Sequence, residues 1–103
     1  METPTSHHSS ILAEWYRPEL IDSPIEPTAT TLDNAATKVT ESGSPVRLVA
    51  MLAVPSDGVL FGIFSADSLH AVAMACNSAG LSAGRLTPAG ELHLCNGVTD
   101  RPL

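Results

Sequence analysis

The chain has 103 residues, with eleven Asp and Glu against five Lys and Arg and a net charge of −6. That length leaves room for one domain with a single modest core. Its five cations (Arg17, Lys38, Arg47, Arg85 and Arg101) are scattered, which argues against nucleic acid or an anionic membrane as a partner, since both need a dense basic patch. The longest apolar run is bounded by Arg47 and Pro55, far short of the roughly twenty residues of a membrane-spanning helix. METPTSHHSS lacks a positive charge followed by an apolar segment, so no signal peptide is read and a cytoplasmic protein is expected. In that compartment Cys76 and Cys95 would remain thiols.

Residues 1–10 are small and polar and are expected to be a disordered tail. His7-His8 within it is a two-ligand metal site at best, and a solvated tail explains it as well. Ile11 to Arg17 reads as a first strand, stopped by Pro18, with Ile11, Ala13 and Trp15 on one face and Leu12, Glu14 and Tyr16 on the other. Glu19 to Ile25 is a connector. From Thr28 to Ser42, Leu32, Ala35, Ala36 and Val39 recur at the spacing of one helical face, and Gly43 and Pro45 end the helix.

Val46 to Phe64 is the centre of the chain, and it reads as a hairpin apolar on both faces, turning at Pro55-Ser56-Asp57-Gly58. Strict alternation sets Val46, Leu48, Ala50, Leu52 and Val54 on one side and Val49, Met51 and Ala53 on the other. Helices of the same chain can cover only one side. Leaving Val49, Met51 and one large side chain of the second arm in water forgoes about 1.5 to 3 kcal/mol each, a loss comparable with the whole stability of a small domain. A second copy packed on Val49, Met51 and Ala53 is the first candidate cover, and an apolar ligand is the other. Trp15, Phe61, Phe64 and Met51 would line such a ligand pocket, or else belong to an ordinary core.

After Phe64, Ser65 or Asp67 is read as the cap of a second helix whose inward stripe is Leu69, Val72, Ala73, Cys76 and Gly80. His70 falls outside or at the margin of that stripe, and Cys76 within it reads as a small apolar filler. Arg85 to Cys95 is a last, edge strand, interrupted by Pro88 and Gly90. The domain is thus expected over 11–95, with a second tail at 96–103. The order βαββαβ is the split βαβ pattern: an α+β fold with a four-stranded antiparallel sheet and two helices on one face.

Glu14 to Pro18 fits E-x-x-x-P, and Phe64, Ala66, Ser68, Ala71, Val72, Ala79, Gly80, Leu81 and Arg85 fit F-x-A-x-S-x-x-A-V…A-G-L…R. With the apolar hairpin between them, these motifs make the chain resemble the small ferredoxin-like domains of unknown function that include a nickel-binding protein. The resemblance covers roughly Leu12 to Leu86. It implies a four-stranded sheet with two helices, paired into a dimer, and raises nickel or zinc binding. Where that family carries an acidic-x-His pair on the first strand this chain has Glu14-Trp15-Tyr16, and Cys76 and Leu81 stand where the metal binder has histidines.

Two sets of side chains could carry chemistry. Glu91, His93 and Cys95 alternate along the last strand and would share a face as metal ligands, or simply form the polar side of an edge strand. Glu14 and Tyr16 share a face of a central strand; enclosed between sheet and partner, they would serve as proton acceptor and donor, and otherwise Glu14 would pair with Arg47 or Arg85. No Walker loop, dinucleotide fingerprint, G-x-S-x-G or C-x-x-C is present. The sequence therefore supports a small dimeric binding or accessory protein with a metal or small-ligand site. A cofactor-free enzyme built on Glu14 and Tyr16 is one alternative, and a structural protein-interaction module is another.

Overall fold

A computed structural model describes residues 9–91 and 93. Strand β1 (Ser9–Trp15) is flanked on both sides, pairing antiparallel with β3 (Val59–Ala66) and β4 (Arg85–Ala89). Strand β2 (Val46–Val54) closes the other edge, so the four strands stand in the order β2-β3-β1-β4. Helices α2 (Ile25–Glu41) and α3 (Leu69–Ser78) bury Leu32, Ala36, Val39, Val72, Ala75 and Cys76 in one core with Ile11, Trp15 and Phe64 of the sheet. This is the α+β, ferredoxin-like arrangement expected from the order of elements. Among the described residues no helix is long and apolar enough to cross a membrane.

Local sequence accounts for most boundaries. Pro18 begins a single helical turn, α1 (Pro18–Ile21), where a plain connector was expected, because its missing N–H is no loss in a first turn. Pro24 flanks the start of α2, three residues earlier than its periodicity suggests. At the far end of α2, Thr40 Oγ1 donates to the Val46 carbonyl at 2.8 Å and accepts from the Val46 N–H at 3.0 Å. The helix is thereby stitched to the start of β2. Pro55–Asp57 form a 3-10 turn closed by Gly58 at φ 65°, a left-handed conformation that glycine adopts without strain.

The second helix is capped by Ser68, whose Oγ accepts from the Ala71 N–H at 3.1 Å, and not by Ser65 or Asp67. Ser65 and Ala66 extend β3 instead. The later start rotates the inward stripe to Ala71, Val72, Ala75 and Cys76, leaving Leu69 40 % exposed. Strand β4 stops at Ala89, ahead of Gly90, short of the expected end, and Cys95 itself lies outside the described residues. At the other terminus Ser9 and Ser10 pair with β3 and belong to the domain, not to a tail. Residues 1–8, with His7 and His8, and the expected tail 96–103 lie outside the described residues.

One register shift changes the faces of the hairpin. Leu48 pairs with Phe64 and Ala50 with Ile63, so Val49 is an extra residue in β2. Such a bulge reverses the alternation beyond it. Met51 then lies opposite Gly62 and Ala53 opposite Leu60, both packed against the helix-covered core. The expected interface of Val49, Met51 and Ala53 is therefore corrected: Met51 and Ala53 face the helices, and Val49 sits in the bulge.

Candidate functional site

The sheet face away from the helices can be read row by row from the pairing. One row runs Arg85, Glu14, Phe61, Leu52 across the four strands, and the next runs Thr87, Leu12, Ile63, Ala50. Leu12, Phe61 and Ile63 are only half-buried, and Leu52 is 61 % exposed. Among the described residues these side chains form a continuous apolar surface without a cover. The second apolar face expected from the hairpin exists, but Ala50 and Leu52 carry it in place of Met51 and Ala53.

Glu14 ends this surface on the β1 side. Its side chain is 13 % exposed, shielded by the ring of Tyr16 and by Arg85. The Tyr16 hydroxyl donates to Glu14 Oε1, and Arg85 Nε stands 3.9 Å from Glu14 Oε2. The Gly84 N–H donates to the Glu14 carbonyl at 2.8 Å, tying the approach to β4 onto the end of β1. A side chain at Gly84 would meet Tyr16 Cδ2 at 3.0 Å, so the absence of a Cβ lets the phenol lie back toward the carboxylate. The hydrogen bond to Glu14 requires the phenolic proton, and it holds Tyr16 above its ordinary pKa, with desolvation and the negative charge of Glu14 acting in the same sense.

Glu14 and Tyr16 do meet, with Arg85 and not Arg47 as the cation, but they do not share a strand face as expected: β1 ends at Trp15, and Tyr16 turns back to Glu14 from just beyond it. In the sequence Arg85 is a motif position and one of two cations that could pair with Glu14; its place in this cluster follows from β4 lying beside β1, which the spacing of residues 14 and 85 does not reveal. Trp15 and Phe64 are fully buried, whereas Phe61 points to the opposite face of the sheet. Those aromatic residues and Met51 do not line a common pocket. His70 is exposed on α3.

The metal reading finds no support in the described donors. Glu91 and His93 are exposed beyond the end of β4, and Cys95 lies outside the described residues. Among the described residues no three His, Cys, Asp or Glu side chains come together as ligands. The Cys76 thiol is buried, and burial pushes it up to about 11, which keeps it protonated and a poor ligand. These donors do not fit nickel or zinc.

Comparison with protein-family models, curated proteins and solved structures finds no match.

Proposed function

We propose that this chain is a small binding or accessory domain that pairs with a second copy of itself, open sheet face against open sheet face. One observation carries the reading: the rows containing Leu12, Ile63, Phe61 and Leu52 form an apolar surface that no element among the described residues covers. Leu52 has the most to gain from a cover, a large part of the roughly 1.5 to 3 kcal/mol that full burial of such a side chain is worth, while Leu12, Ile63 and Phe61, already partly buried, add smaller shares. Glu14, Tyr16 and Arg85 would rim the contact and fix its orientation. The free thiol of Cys76 fits a reducing compartment, the cytoplasm.

The hydrogen bond from Tyr16 to Glu14 supports a second reading, in which a cavity between the two sheets uses this pair for proton transfer.

Sedimentation of the wild type and of Leu52→Asp tests the first reading. Residue 52 is exposed in the single chain, so the variant should still fold, with the circular-dichroism spectrum of the wild type. At a two-fold contact the change counts twice, removing about 3 to 6 kcal/mol and raising the dimer Kd by on the order of a hundredfold or more. A wild type that stays monomeric at high concentration overturns the proposal.

A further inference from the structure

Among the described residues strand β2 leaves one edge of the sheet unpaired, and α2 runs beside it. Two grooves, of about 460 and 400 Å³, follow the seam between them, and Asp33 lines both. On the helix, Ile25, Ala29, Asp33, Thr37 and Glu41 recur every four residues and make one ridge along that seam. Four helical residues rise about 6 Å. Alternate residues of an extended strand are about 6.7 Å apart, so the ridge and an added strand would keep step over several residues.

We propose that the free edge of β2 receives an extended peptide of a partner protein, with an apolar side chain on Ile25 and Ala29 and a Lys or Arg two residues along, against Asp33. The backbone of β2 supplies the hydrogen bonds and the α2 ridge reads alternate side chains. Charge selects the occupant. Among the described residues Asp33 and Glu41 have no ion-pair partner. Arg47 lines the first groove together with Asp33 and Glu41, so the seam carries two carboxylates against one guanidinium, and Asp33 alone continues into the second groove.

A second copy is a poor occupant for the same edge. Pairing β2 with β2 about a two-fold axis would run the ridge against its own reverse and bring two copies of the same acidic seam together. It would also bring two Val49 bulges into one ladder, and bulges disrupt continuous pairing. A short peptide can follow the bend. This surface is separate from the sheet face of the preceding proposal.

The test uses the full chain and two fluorescent peptides with capped ends, eight residues of alternating Val and Thr with one inward Val replaced by Lys or by Glu. Anisotropy should show the Lys peptide binding about tenfold more tightly than the Glu peptide, with the preference shrinking as salt rises. Asp33→Lys, at an exposed helical position, should reverse the preference. Absence of binding by either peptide, or a preference unchanged by Asp33→Lys, overturns the proposal. Neither result depends on the sheet face, whose own readout is the sedimentation of Leu52→Asp.

Discussion

The indole of Trp15 occupies the space that a side chain at residue 62 would need: a Cβ on Gly62 would stand 3.0 Å from Trp15 Cζ3 and 3.2 Å from Cη2. The ring cannot retreat. It is fully buried, and its Nε1 donates to the Leu81 carbonyl at 2.7 Å, which pins the loop after α3 over the sheet. Gly62→Ala should therefore destabilise the fold by about 1 to 3 kcal/mol, although alanine is otherwise the better strand residue. Denaturant unfolding followed by the fluorescence of Trp15, the single tryptophan, measures the change.

Tyr16 is the only tyrosine, so tyrosinate absorbance reads its titration directly. The phenol should ionise above its ordinary value of 10, and Glu14→Gln should bring it back down by removing the charged acceptor. The stabilisation from this bond belongs to the protonated phenol. It is fully present below the unfolded pKa and is lost as pH rises through the folded one. A titration identical in the wild type and Glu14→Gln would show that the hydrogen bond does not form in solution.

Cys76 should resist alkylation in the folded chain and react quickly once it is unfolded, measured in a Cys95→Ser background so that only one thiol reports. Both burial and the raised pKa oppose the thiolate. Below pH 9 both states hold the proton. Between about 9 and 11 the unfolded thiol ionises first, and stability should fall by about 1.4 kcal/mol per pH unit.

Ser68→Ala removes the acceptor that satisfies the Ala71 N–H at the start of α3. The expected cost is about 1 kcal/mol by urea denaturation, and Ser68→Asp should recover most of it. Changing Ser65, which pairs within β3, should not mimic the loss of a cap.

Legibility of the sequence depended on whether a polar residue marked the answer. On α2, Leu32, Ala35, Ala36 and Val39 are set among threonines and charges, and all four are buried as the periodicity requires. Strand β1 alternates, so the faces of Ile11 and Glu14 could be read directly. Val46 to Val54 is apolar at nearly every position, and a one-residue shift in such a strand leaves no mark on its pattern. The error about Met51 and Ala53 follows from that silence. Likewise, Arg85 meets Glu14 only through strand order, and Asp33 acquires its meaning only from the seam beside β2.

The extra residue at Val49 has a consequence for how the chain keeps to itself in a crowded cell. A molecule lacking Val49 would retain the same inward side chains on β2, since Leu48 and Met51 would then alternate without interruption. Its outer rim, however, would become one straight, nearly uncharged ribbon, ready to pair along its whole length with another such edge. The irregularity at residue 49 acts as a safety catch, limiting that rim to short guests.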